Sequence, residues 1–279
     1  RDGGSGGAAH HHARAGIAGD GGGANQRRRV AFDQNSRLQH AGDLYVENST
    51  AQGNVYNSGK LTARGGDATT GNAGDGGYVE FYAYGGELRN SGAIDSSGGD
   101  TTGAAGDGGD GGDIYVYTNY ATSFYEETPA GAITWSGAVN TSGGDALATT
   151  AGTGDGGDAG YFDIYHYSDD YPTTAPVQLL GYSKLNARGG DGDFGGSGGY
   201  LYLYNYTPYD TNLGVDVPGG SVLAQLNVDT SGGDAHVDGL SANANGSEGG
   251  DIYLETDYTY YAGAPVTSTL KGNVVGHGG

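Results

Sequence analysis

The sequence predicts an all-β protein, a parallel β-helix (β-solenoid) with Gly/Asp-rich corners, on three observations. A short apolar run closed by Gly-Gly-Asp occurs at 61–67, 94–100, 139–145, 185–191 and 228–234, at spacings of 33, 45, 46 and 43 residues. Such periods mark solenoids and arrays. Between these copies lie aromatic runs that alternate with period two, the signature of half-buried strands. No stretch carries apolar residues three and four apart over several turns, so helices are not expected.

Taken along the chain, residues 1–42 form a basic, Gly-rich N-terminal segment that follows the repeat only in outline. Residues 1–37 hold six of the twelve Lys and Arg against three Asp, a net of +3, and the remainder carries −24. The segment reads either as a solvated head or as a contact arm, with Arg27, Arg28 and Arg29 docking onto the acidic end of another subunit. His10, His11 and His12 read as a flexible tail rather than a metal cluster, for want of a further histidine at coordinating spacing.

Residues 43–279 form the β-solenoid of about five repeats. Its aromatic strands are expected at 43–47, 78–82, 113–117, 163–167, 200–204 and 251–255. Leu44, Val79, Ile114, Ile164, Leu201 and Ile252 fall on one face of these strands. Tyr45, Tyr115, Tyr165, Tyr202 and Tyr253 fall on the other, with Glu80 as the exception. The second strand of each repeat supplies an inward residue, in the series Leu61, Ile94, Val139, Leu185 and Val228. Repeats of this length are expected to make two coils each of about 22 residues. Ten to twelve coils stacked at ~4.8 Å would give a rod roughly 50–60 Å long.

Sixty glycines in 279 residues would by themselves suggest a low-complexity linker. Their clustering between strand-like runs, and 23 tyrosines with large buriable area, argue instead for coils that bury their apolar faces against neighbours. Glycine then marks tight corners, where positive φ or close backbone approach is required.

The net charge of −21 excludes nucleic acid and anionic membranes as natural partners, and no apolar run approaches a membrane span. Cysteine and methionine are absent, which removes disulfide and thiol chemistry and favours an oxidant-exposed, extracellular or cell-surface location. The ends of the chain look like cuts within a repeat, as in a piece of a longer secreted protein.

The Gly-Gly-Asp corner, Gly-Asp-Gly-Gly and Asp-Ile-Tyr-Val/Leu phrases together resemble the glycine/aspartate-rich right-handed parallel β-helix repeats of prokaryotic secreted and surface proteins. The resemblance covers roughly residues 43–279. It implies a right-handed solenoid and is specific for a fold rather than a function, since that architecture carries adhesins, fibres and polysaccharide lyases alike.

Residues 108–116 match the calcium nonapeptide GGxGxDxUx. Asp107, Asp110, Asp113, Asp155 and Asp158 are therefore candidate Ca²⁺ ligands, set against a plain role as acceptors for backbone N–H groups in glycine turns. The tyrosines Tyr45, Tyr115, Tyr165, Tyr202 and Tyr253 form the candidate partner surface, for another subunit or a sugar chain. The insertions at 119–130, 168–176 and 207–218 could also cover it. Sequons begin at Asn48, Asn140, Asn205 and Asn245. Trp135 reads as packing.

No Gly-x-Ser-x-Gly elbow is present. Arg64 and Arg188, the candidates for a lyase base beside Asp67 and Asp191, occupy a regular repeat position rather than a break in it. The expectation is thus a non-enzymatic, self-associating solenoid, a homopolymer assembled head to tail or laterally as a fibre, surface layer or adhesin stalk. The alternatives are a polysaccharide-binding module and a polysaccharide lyase or hydrolase.

Overall fold

The computed structural model of the protein describes residues 41–48, 53–103, 105–119, 121–122, 127–128, 130–147, 154–167, 175–206, 209–210, 215–216, 220–235, 246–257 and 267–278. The described residues form an all-β, parallel β-solenoid of six rungs. Rung 1 holds β1 (Leu44–Asn48), β2 (Val55–Asn57) and β3 (Leu61–Thr62). Rung 2 holds β4 (Val79–Tyr84), β5 (Leu88–Asn90) and β6 (Ile94–Asp95). Rung 3 begins with β7 (Ile114–Asn119), carries a side hairpin of β8 (Ala121–Thr122) and β9 (Glu127–Thr128), and closes with β10 (Ile133–Trp135) and β11 (Val139–Asn140). Rung 4 has β12 (Phe162–Tyr167) and β13 (Val177–Asn186). Rung 5 has β14 (Leu201–Tyr206), the hairpin β15 (Tyr209–Asp210) and β16 (Val215–Asp216), and β17 (Val222–Asp229). Rung 6 has β18 (Ile252–Asp257), β19 (Ser268–Lys271) and β20 (Val274–Val275).

The first strand of every rung joins one six-stranded sheet in the order β1-β4-β7-β12-β14-β18, and the later strands build a second, ten-stranded sheet. All pairings between rungs are parallel. Among the described residues only the two side hairpins are antiparallel. The second sheet fixes the coil length. Leu61 pairs with Ile94, Ile94 with Val139, Val139 with Leu185, and Leu185 with Val228. Each repeat is therefore one coil, not two, and the first and last strands of the six-stranded sheet lie only ~24 Å apart at ordinary strand spacing. The expected 22-residue coil fails because it left the glycine segments as corners, whereas they form a whole side of the coil.

Between the two sheets runs an aliphatic core. Val79, Ile114, Leu88, Ile133, Leu201 and Leu203 are completely inaccessible to solvent, each such burial contributing about 1.5–3 kcal/mol. Trp135 lies at its centre, edge-on to Phe81 at 5.4 Å and tilted against Phe162 at 5.2 Å. Trp135 also occupies a polar column. Asn57 donates to Asn90 Oδ1 at 2.7 Å, and the Asn57 and Asn90 amides also donate to the Gly59 and Gly92 carbonyls. One rung on, Trp135 Nε1 makes the equivalent bond to Gly137 O at 2.9 Å. The indole thus replaces an asparagine without leaving the carbonyl unsatisfied.

The third side is built of glycine. After the second-sheet strands, each full coil runs out through one Gly-rich segment and returns through another, for example 96–101 and 106–113. Within the return segment the N–H groups point in three directions in turn. Gly108 and Gly111 donate to the next rung, Gly109 and Gly112 donate across the interior, and Asp107 and Asp110 donate to side-chain oxygens of the previous rung. This is the three-residue period of a polyproline II-like chain. The cross-interior bonds form one continuous series from Gly66 through Gly74, Gly99, Gly109, Gly144, Gly157, Gly190, Gly196 and Gly233 to Ser247, at 2.8–3.2 Å.

Close approach explains these glycines. A Cβ on Gly144 would collide with the Gly99 carbonyl of the rung below, and one on Gly98 with the Gly109 carbonyl across the interior. Among the described glycines only Gly71, Gly85, Gly181 and Gly272 have positive φ, so the tight-corner reading applies to few of them. Gly181 and Tyr182 (φ 80° and 53°) mark the bulge where β13 shifts register against β17.

Candidate functional site

Two surfaces carry the chemistry. The first is the outer face of the six-stranded sheet. Register sets its rows: Tyr45, Glu80, Tyr115, Asp163, Tyr202 and Tyr253 stand in one row, and Glu47, Tyr82, Tyr117, Tyr165, Tyr204 and Glu255 in the next. All five expected tyrosines lie on this face, but Tyr165 stands one row over from the other four. The reason is that Phe162, not Ile164, pairs with Ile114, which slides β12 by two residues and puts Asp163 in the tyrosine row. Ile164 pairs with Val116 instead. The phrase Gly160-Tyr161-Phe162, parallel to Gly77-Tyr78-Val79 and Gly199-Tyr200-Leu201, carried that register in the sequence.

The rings form a connected network. Tyr78 contacts Tyr45 at 5.8 Å and Tyr115 at 5.1 Å, and Tyr115 meets Tyr117 at 6.4 Å. Tyr117 stacks on Tyr165 at 4.9 Å, Tyr165 meets Tyr202 at 5.5 Å, and Tyr202 meets Tyr253 at 6.1 Å. Carboxylates are threaded among them. Tyr78 donates to Glu80 at 3.0 Å, Tyr202 to Glu255 at 2.8 Å, and Tyr253 to Asp251 at 3.0 Å. Burial, reinforced by Glu80 at Tyr78, by Asp113 and Asp163 at Tyr115, by Asp163 at Tyr117 and by Glu255 at Tyr202, raises their phenol pKa values, and burial with Asp163 pushes Tyr165 up to about 12.

Asp163 is the outlier on this face. It is 3% exposed, and its Oδ1 has no hydrogen-bond partner. Burial first, and the charge of Asp113 second, push its pKa up to about 6. On the opposite, inward side of the same sheet, Thr118, His166 and Asn205 form a fully buried polar column. His166 Nδ1 bonds Asn205 Oδ1 at 2.8 Å, and burial lowers the pKa of the ring.

The second surface is the edge of the glycine side, where aspartates stack. Each aspartate of the Gly-Gly-Asp motif accepts, through Oδ1, the backbone N–H of the next: Asp67 from Asp100, Asp100 from Asp145, Asp145 from Asp191 and Asp191 from Asp234, at 2.8–2.9 Å. The sequence separations of these bonds are the repeat spacings themselves. Arg64 bridges Asp67 and Asp100 at 2.7 and 3.3 Å, and Arg188 bridges Asp191 and Asp234 at 2.6 and 3.2 Å. The arginines weighed as bases are thus the counterions of the ladder. Asp145, between the two bridged pairs, has its pKa raised by burial and by Asp191 and Asp100.

The five candidate calcium ligands lie in parallel ladders of the same kind. Asp107 accepts from Asp155 N, Asp110 from Asp158 N, Asp113 from Tyr161 N and Asp158 from Ser197 N, at 2.6–3.0 Å, while the Asp155 carboxylate takes the Phe194 N–H. The structure therefore brings Asp107 next to Asp155 and Asp110 next to Asp158, each with one oxygen committed to the backbone. Among the described residues no group of three or more His, Asp or Glu side chains is placed to hold a metal ion.

Arg27, Arg28, Arg29, the three histidines and Asn245 lie outside the described residues, as does most of the three insertions. Asn140 and Asn205 are structural: Asn140 donates to Asp95 and accepts from Asn186, and Asn205, fully buried, donates to Gly220 O. Asn48 donates to Asn54 O at 3.1 Å. Comparison with family models, with curated proteins and with solved structures returned no match.

Proposed function

We propose that the protein is a structural, extracellular β-solenoid, a non-enzymatic subunit that self-associates into a fibre, surface layer or adhesin stalk. The observation that supports this most is the uniform stacking, in which successive rungs are joined by the same in-register parallel pairings and the same aspartate-to-N–H bonds, a pattern that a rung of a second copy can continue. In rung 1 the inward residues Leu44, Val55 and Leu61 are only 3–5% exposed, but Leu270 and Val274 in rung 6 are 39% and 48% exposed. Both occupy inward columns, in register with Ala224 and Val228. An apolar column in this state is covered by a further rung or by a partner.

A second copy suits this face, because each rung offers the next the same bonds. Gly-rich segments donate N–H groups forward, and stacked aspartates accept in return. The acidic composition and the absence of cysteine and methionine support an extracellular setting. Calcium, held by Asp107, Asp110, Asp113, Asp155 and Asp158 with corner carbonyls, belongs to the same proposal as a cation that would offset crowded carboxylates.

Sedimentation velocity and negative-stain imaging over a range of concentrations, with and without calcium, test the reading. Filaments or a concentration-dependent ladder of oligomers are expected, and Leu270→Glu with Val274→Asp should abolish them. Monodisperse monomer at high concentration in calcium would rule the fibre out.

The tyrosine face supports a second reading, a module for extracellular polysaccharide, since tyrosine offers an apolar ring with a polar rim. Glycan binding lost in Tyr202→Ala/Tyr204→Ala would favour it.

A further inference from the structure

We propose that the tyrosine face is a one-electron relay with an oxidative cross-linking site at its end, Tyr253. The proposal goes beyond self-association and does not depend on it. Two independent features carry it. The path Tyr45–Tyr78–Tyr115–Tyr117–Tyr165–Tyr202–Tyr253 crosses all six rungs with no step between ring centroids longer than 6.4 Å. The second feature is the set of proton acceptors along it.

A neutral phenol gives up an electron readily only if its proton leaves at the same time. Glu80, Glu255 and Asp251 already accept the hydroxyl protons of Tyr78, Tyr202 and Tyr253. At mid-path Asp163 stands in register between Tyr115 and Tyr202, 3% exposed, with Oδ1 unspent. Aromatic packing alone accounts for stacked rings. It does not account for a buried, unpaired carboxylate among them, which is costly to keep.

The chemistry balances with an external one-electron oxidant, such as a ferryl haem of a peroxidase or a photogenerated Ru(III) complex. The oxidant takes one electron from a tyrosine, and the phenolic proton passes to the neighbouring carboxylate, leaving a neutral phenoxyl radical. Each hop returns an electron and a proton to the ring just oxidised. At Tyr253, 50% exposed, two radicals from two copies join through ring carbons ortho to oxygen. The two ring hydrogens at the new bond shift to the oxygens, so the net loss is two electrons and two protons. The absence of cysteine and methionine removes two side chains that would otherwise intercept the oxidising equivalent, and the single Trp135 is buried in the core on the other side of the sheet.

The test uses the full chain with Glu47→Cys, on the same face in rung 1, labelled with a ruthenium polypyridyl complex. The protein has no other cysteine to label. After photo-oxidation with a sacrificial electron acceptor, radical sites are trapped with a nitroso spin trap and mapped by mass spectrometry. That readout is intramolecular and unaffected by failure to form filaments. Adduct at Tyr253 is expected, with dityrosine-linked dimers at high concentration. Tyr117→Phe combined with Tyr200→Phe keeps both rings but removes the hydroxyls on the direct step from Tyr115 and on the route through Tyr200, which interacts with both Tyr115 and Tyr253. This double variant should lose the Tyr253 adduct while keeping adducts at Tyr78 and Tyr115, and Tyr165→Phe with Tyr200→Phe serves as a second block should the first perturb folding. Asp163→Asn should weaken transfer past rung 3 without changing oxidation at Tyr78. Adducts confined to Tyr45 and Tyr78 in the labelled parent, or a Tyr253 adduct unchanged by both blocks, would overturn the proposal.

Discussion

Replacing Asp163 by Asn should stabilise the protein at neutral pH, and the gain should disappear in acid. The carboxylate lies in the tyrosine face with one oxygen unpartnered, and its pKa is pushed up to about 6 from 3.8, by burial first and then by Asp113. The folded state therefore binds this proton more tightly than the unfolded chain does. Stability from this group rises as pH falls through about 6 and is fully regained below the unfolded value near 3.8. A shift of about two units corresponds to at most about 3 kcal/mol. Asn keeps the shape and removes the charge. Urea unfolding followed through the fluorescence of Trp135, the single tryptophan and fully buried, reads the difference directly. The variant should be more stable at pH 7 and equal to the parent near pH 3. A variant less stable than the parent at every pH would show that the carboxylate is held by a partner, and the unpaired-charge argument would fail.

Glycine positions should divide into two classes in the same assay. Gly144→Ala, which drives a methyl into the Gly99 carbonyl, should cost about 3 kcal/mol or more. Gly71→Ala has open space and only a positive φ against it, and should cost about 1 kcal/mol. Removing Arg188 leaves Asp191 and Asp234 unbridged. A loss of about 0.5–1 kcal/mol is expected at low ionic strength, shrinking in added salt; a salt-independent loss would point to packing instead. Asn90→Ala strands one N–H of the Asn57 amide, which keeps its bond to Gly59 O, and the Gly92 carbonyl and should cost about 1–3 kcal/mol, whereas Asn90→Asp at low pH should recover part of it.

The strands and the stacking partners of the Gly-Gly-Asp copies were legible in the sequence, because each copy carries one apolar residue and one aspartate that must meet their counterparts a rung away. Leu61, Ile94, Val139, Leu185 and Val228 stack as their spacing requires. The coil length was not legible. A glycine whose neighbour across the interior is another glycine has no side chain to announce the contact, and a three-residue bonding period is hidden by the period-two pattern of the adjoining strands. The partners of Gly99, for instance, are Gly66 and Gly144 in adjacent rungs and Gly74 and Gly109 across the interior, far apart in the chain and alike in composition.

The site shows the same division. That tyrosines share one face followed from alternation, but the row of Tyr165 depended on choosing Phe162 over Ile164 as the partner of Ile114. Asp163 was missed because an aspartate preceding Ile-Tyr looked like the corner residue Asp113. The sequence leaves the aspartates open between calcium ligands and acceptors of backbone N–H groups; the second role is present, in straight stacked segments rather than in turns.

One repeat per rung, in parallel register, is the claim on which the surfaces and their chemistry rest. Paired cysteines test it most directly, in a chain that has none of its own. Thr134→Cys with Gln178→Cys joins outward positions that pair in adjacent rungs, and should form a disulfide rapidly with the fold preserved. Thr134→Cys with Leu223→Cys lies in the same column two rungs apart, about 9.6 Å at ordinary strand spacing and beyond the ~7 Å Cα limit of a disulfide. Equal cross-linking of the two pairs, or none in the first, would contradict the one-repeat rung.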